Sequence, residues 1–169
     1  MEKKILKALN DQMNREFFSA YLYLSMATWF ERENLRGFAR WMKVQAWEEI
    51  GHAMRFYKFI TDRGEKPELD KIEKPKSDWG SPKEAFEDAY NHEKFITRNI
   101  HEIYKLAEEL NDYPTKTFLN WFIDEQVEEE NQTLTVLDIL NKIKDSVTSL
   151  YFIDHKLSER EFEKFEIEI

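Results

Sequence analysis

Helix breakers are scarce in this chain, and most of them sit in one place. No proline precedes Pro67, and three of the four prolines, with Gly64 and Gly80, fall between Gly64 and Pro82. Proline lacks an amide hydrogen and its ring collides with the preceding helical turn, so the stretches free of it can run as long helices. The pattern predicts helices over 1–34, 35–63, 82–111 and 114–143, a connection over 64–81, and a shorter helix over 148–165. A weak break falls near Asn34 and Gly37. At Ser81-Pro82-Lys83-Glu84 a serine can cap, proline takes the first helical position and glutamate closes a capping box. At Asn111-Asp112-Tyr113-Pro114 the residue before proline is pushed out of helical geometry.

Each long helix carries apolar positions at alternating spacings of three and four, the seam that packs helices into bundles. Helix one has Leu9, Met13, Ala20, Ala27 and Phe30; helix two has Phe38, Met42, Phe56 and Phe59. Helix three has Phe86, Ala89, Ile96, Ile100 and Ile103; helix four has Leu119, Phe122, Val136 and Leu140. A helix of about 28 residues is about 42 Å long, and the 64–81 connection reaches about 55 Å when extended. It can therefore cross the whole bundle, joining two short-turn helix pairs. The expected fold is all-α: a four-helix bundle with a long crossover between helices two and three and a short fifth helix.

Every seam is interrupted by metal-ligand types, and the interruptions repeat. Glu16 and Glu49 lie 33 residues apart and His52 lies 36 from Glu16; Glu93, Gln126 and Glu129 reproduce both spacings with an offset of 77. Counted from the first turn near Leu35, Glu16, Glu49 and His52 sit at depths of about 28, 21 and 25 Å, and the second set matches about Asp112. Both halves thus point polar residues inward at one level. Burying four carboxylates together costs several kcal/mol for each ionised group unless positive charge neutralises them. No lysine or arginine occupies a seam, which argues against pairing, and two divalent cations would neutralise the set. Oxygen ligands with one imidazole suit iron or manganese rather than copper or structural zinc.

Other residues have simpler readings. Tyr23 lies two turns from Glu16 on the same face, where a packed core tyrosine is the plainer expectation, and Gln45 reads as a hydrogen-bonded core glutamine. His92, His101 and His155 fall off the seams and are expected in solvent. Composition narrows the field further. The absence of cysteine excludes disulfides, thiolate metal sites and a cysteine nucleophile. A net charge of −9 argues against nucleic-acid binding and fits attraction of small cations. The longest uncharged run, Phe17 to Phe30, has fourteen residues, short of the roughly 20 a membrane span needs. With no secretory-type apolar run near the N-terminus, the expected location is cytoplasmic.

The segments Asn14-Arg15-Glu16-Phe17-Phe18, Glu48-Glu49-Ile50-Gly51-His52, His92-Glu93 and Trp121 to Glu130 resemble the bacterial non-haem ferritins, and Leu150 to Asp154 is similar to the start of that family's short fifth helix. The resemblance implies a ferritin-like bundle with a ferroxidase centre. Glu16, Glu49 and His52 would hold one iron, and Glu49, Glu93 and Glu129 a second, with Glu49 bridging. Gln126 would stand near the oxygen-binding side, and Tyr23 would support redox chemistry. A third, weaker iron position would use Glu48, Glu125, Glu128 and Glu129; on residue pattern alone, the first three would be a solvated acidic face. Fe(II) and O2 or H2O2 are the implied reactants, and a cage of 24 subunits the implied assembly. Bacterioferritins carry a haem-ligating methionine at the position resembling Ile50, so no haem is expected. Independently, helix one is apolar nearly all round between Phe17 and Phe30, which predicts a homo-oligomer. Two alternatives stay open: a dimetal oxidase or peroxidase without iron storage, and a bundle whose buried carboxylates are simply protonated.

Overall fold

In the computed structural model, which describes residues 1–144 and 146–161, the elements are α1 (Lys3–Arg32), α2 (Arg36–Asp62), α3 (Pro82–Glu109), α4 (Tyr113–Ile143) and α5 (Val147–Leu157). The first four form an all-α bundle in which α1 packs along α2 and α3 along α4. The fifth is short, ends at Leu157 and leaves 158–161 non-helical. The remainder of the helix expected to 165 lies outside the described residues.

The first three long helices end in one way. Asn34, Gly64 and Asn111 take left-handed backbone, with φ of 59°, 73° and 56°. In each, the next residue's amide returns to a carbonyl five back: Leu35 to Phe30 at 3.0 Å, Glu65 to Ile60 at 3.1 Å, Asp112 to Ala107 at 2.8 Å. This is the Schellman arrangement, which satisfies carbonyls the helix would orphan, and asparagine and glycine tolerate its geometry best. Asn34 and Asn111 are themselves 77 residues apart, so the internal repeat extends to the turns. Ser81 caps α3 by accepting from the Glu84 amide at 3.1 Å, while the Glu84 carboxylate reaches the Gly80 amide at 2.7 Å. Asp112 caps α4 by accepting from the Thr115 amide at 3.1 Å.

The crossover lies stapled along α1. Asn10 and Asn14, one turn apart, bond the backbone of Glu68 and Asp70 at 2.7–2.8 Å, and Ser25 donates to the Lys76 carbonyl at 2.7 Å. Trp79 closes this end, buried with its indole donating to Asp88 at 2.8 Å. Inside, the core divides in two. One cluster gathers Tyr23, Met26, Phe30, Phe38, Met42, Phe86 and Leu140; the other gathers Leu9, Met13, Phe56, Ile100, Leu119 and Phe122. Between them lies a buried polar layer.

Candidate metal centre

All four long helices supply that layer: Glu16 from α1, Glu49 and His52 from α2, Glu93 from α3, and Gln126 and Glu129 from α4. Each is at most 2% exposed. Three groups of ligand atoms lie within 4.8 Å of one another: Glu16, Glu49 and His52; Glu49, Glu93 and Glu129; and His52, Glu125 and Glu129. The first two share Glu49. Among the described residues no lysine or arginine forms an ion pair with Glu16, Glu49, Glu93 or Glu129.

The electrostatics follow from that crowding. Burial, and then the Glu49 carboxylate, push both Glu16 and Glu93 up to about 8. Burial and then Glu93 raise Glu129 well above the carboxylate range. Glu49 goes the other way: burial opposes its charge, but the imidazole of His52 holds it below its ordinary value. Burial would lower His52, yet Glu49 and Glu125 raise it well above the usual histidine value. Without a cation, then, this layer stays near neutrality only by taking up protons. Divalent cations would displace them, which is the expected chemistry of a dry site with more carboxylates than charges to balance them.

Hydrogen bonds orient the carboxylates. Gln12 donates to Glu16 at 2.7 Å; Gln45 donates to Glu129 at 2.5 Å and to Glu49 at 3.3 Å. Gln126 donates to Glu93 at 3.2 Å, and the Tyr23 hydroxyl donates to the other Glu93 oxygen. The role of Gln12 was missed in sequence, although a signal existed. Gln12 and Gln45 each precede a core glutamate by four residues, the distance that places two side chains on one helical face.

The off-seam residues divide. Glu125 is half-buried with an oxygen 3.6 Å from His52 Nε2. Glu128 is exposed and accepts from Gln132 at 2.8 Å. Glu48, read from the pattern as solvated, is buried in an ion pair with Arg160 at 2.6 Å. His101 and His155 are exposed. His92 corrects expectation: its Nε2 lies 2.7 Å from the Ser19 hydroxyl and its ring packs near Phe18, Tyr23 and Phe95. The seam of α3 alone does not reveal this, because the face beside Glu93 is covered by α1. Burial lowers His92 below its ordinary value.

A bundle that turns four glutamates and one histidine into its dry centre, two groups meeting at one carboxylate, has a ligand arrangement that could hold a pair of metal ions. Known proteins share this fold. The family model of the ferritin-like domain matches residues 6–143. The bacterial non-heme ferritin of Staphylococcus haemolyticus is 41% identical over 97% of this chain and 99% of its own length. That of Staphylococcus aureus is 40% identical over the same shares. The open pore ferritin of the hyperthermophilic archaeon Archaeoglobus fulgidus superposes with a TM-score of 0.95 at 43% identity, covering 95% of this chain and 99% of that one. Its engineered closed form gives 0.95 at 44%, covering 96% and 99%. This chain belongs to the ferritin family.

Proposed function

We propose that this protein is an iron-storage ferritin subunit that oxidises Fe(II) at the paired centre and keeps the Fe(III) as mineral inside a cage of 24 copies, expected in the cytoplasm. The observation that carries the reading is the sharing of Glu49 between two buried ligand groups. Glu16, Glu49 and His52 would hold one ferrous ion, and Glu49, Glu93 and Glu129 the other. Dioxygen would take one electron from each ion and, with two protons, leave as hydrogen peroxide; peroxide itself is the alternative oxidant. The carboxylate-rich layer favours ferric over ferrous iron because hard, anionic oxygen donors bind the smaller and more highly charged Fe(III) more strongly. Tyr23 touches a ligand carboxylate directly, which supports a redox-coupled role, and Gln126 steadies Glu93 from the opposite side. Glu48, Glu125 and Glu128 with Glu129 would form the third, weaker iron position. No helix among the described residues is long and apolar enough to cross a membrane.

The test loads ferrous iron anaerobically, admits oxygen, and measures both oxygen uptake and the iron that elutes with the assembly. Fast uptake with co-eluting iron is expected. Fast uptake with iron left outside would identify an oxidase without storage, and no acceleration would refute both readings. Glu49→Ala should abolish the fast phase while the assembly persists.

A further inference from the structure

The internal repeat pairs Glu48 with Glu125, 77 residues apart, yet the two carboxylates point to different partners. Glu125 turns toward His52, with 3.6 Å between its oxygen and Nε2. Glu48 turns away to Arg160, which follows α5 and donates to it at 2.6 Å. The same guanidinium nitrogen donates to Gln132 Oε1 at 2.9 Å, and Gln132 Nε2 donates in turn to Glu128 at 2.8 Å. One guanidinium therefore engages Glu48 directly and Glu128 through a single glutamine. These are two of the four carboxylates that a third cation would need.

We propose that Arg160 is a latch on the third metal position: while it is docked the subunit holds two cations tightly, and its release admits a third. This deepens the reading above and rests on the metal pair assigned there.

The latch is fixed in place by several contacts. Arg160 also donates to the Trp41 carbonyl at 3.4 Å, lies 4.3 Å over the Trp41 ring, and accepts at its own carbonyl from Arg40 at 3.1 Å. The side chains of Arg160 and Glu48 are only 14% and 12% exposed, so water screens the pair weakly. A cation and a guanidinium cannot both take the inner oxygen geometry of Glu48, so binding the one requires releasing the other. There is space for that release. A cleft of about 470 Å³ lies beside the pair, lined by Trp41, Glu48, Gln132, Leu157 and Arg160 among others. A hydrogen bond to a charged group corresponds to roughly ten- to hundred-fold in an equilibrium, and the linkage lowers third-cation affinity by that factor.

Anaerobic titration of the assembled full chain with ferrous iron, read by calorimetry and by equilibrium dialysis, tests this without any turnover. In the parent protein two ions per subunit should bind tightly, with a third at least about tenfold weaker. Arg160→Ala should tighten the third by about ten- to hundred-fold and leave the first two unchanged. The double variant Arg160→Ala with Glu48→Gln should return it to weak binding. Arg160→Gln, which keeps the aliphatic stem and a polar end but loses the charge, is measured in parallel and carries the same reading if Arg160→Ala does not assemble. An unchanged third affinity in both Arg160 variants, or three equally tight ions in the parent, would overturn the latch. Fewer than two ions in the parent would instead overturn the metal-pair reading, and the latch with it.

Discussion

Replacing Glu16 by glutamine should make the metal-free protein more stable, although it removes a ligand. Glu16 is 1% exposed and its carboxyl is pushed up to about 8 by burial and by Glu49. In the unfolded chain the same group titrates near 4.5. A folded value above the unfolded one leaves stability intact below about 4.5 and erodes it as pH rises toward 8, at roughly 1.4 kcal/mol per pH unit. At pH 7 this amounts to about 3 kcal/mol. Glutamine resembles the protonated acid in shape, can accept the 2.7 Å bond from Gln12, and does not titrate. Metal-stripped parent and variant should therefore have similar stability near pH 4.5 and diverge to about 2–3 kcal/mol in the variant's favour at pH 7. Guanidinium denaturation followed by circular dichroism at pH 5, 6 and 7, at one fixed subunit concentration with chelator present, measures the difference. Ferrous iron should reverse the order, because a ligand that binds only the folded state stabilises in proportion to its affinity. A metal-free variant that is less stable than the parent at pH 7, or a gap that does not shrink by pH 5, would refute the reasoning.

Two further outcomes follow from the scaffold. A Cβ added at Gly37 would lie 1.6 Å from the carbonyl oxygen of Asp154 on α5, so Gly37→Ala should displace α5 and break the 3.0 Å bond from the Phe38 amide to Asp154; hydrogen exchange should rise across 147–157 while the four long helices keep their protection. Burial opposes charge on Asp112, but the Arg63 guanidinium and Thr115 hold it below its ordinary value. Its stabilising effect is therefore present above the unfolded value of 3.8 and fades as pH falls through the lower folded one. Arg63→Gln should cost roughly 1–2 kcal/mol at pH 7, a difference that closes in denaturant titrations as pH falls through the lowered folded value of Asp112.

The sequence alone determined the helices, their seams and the level at which polar residues enter the core. These properties are local and periodic: a spacing of three or four residues sets a face, and a repeat of 77 sets two halves at equal depth. Glu16, Glu49, His52, Glu93, Gln126 and Glu129 were legible for that reason, since a carboxylate on an apolar seam has no destination but the interior. The spacing could not say where the residues beside the seam would turn. Glu48 and Glu125 occupy equivalent positions in the repeat, yet one meets an arginine 112 residues away and the other a histidine across the bundle. His92 is covered by α1 through Ser19, and the crossover is held by asparagines of α1 more than 50 residues away. Such contacts depend on which distant segments pack together, and a side chain at the border between core and solvent takes whichever partner the assembled fold brings to it.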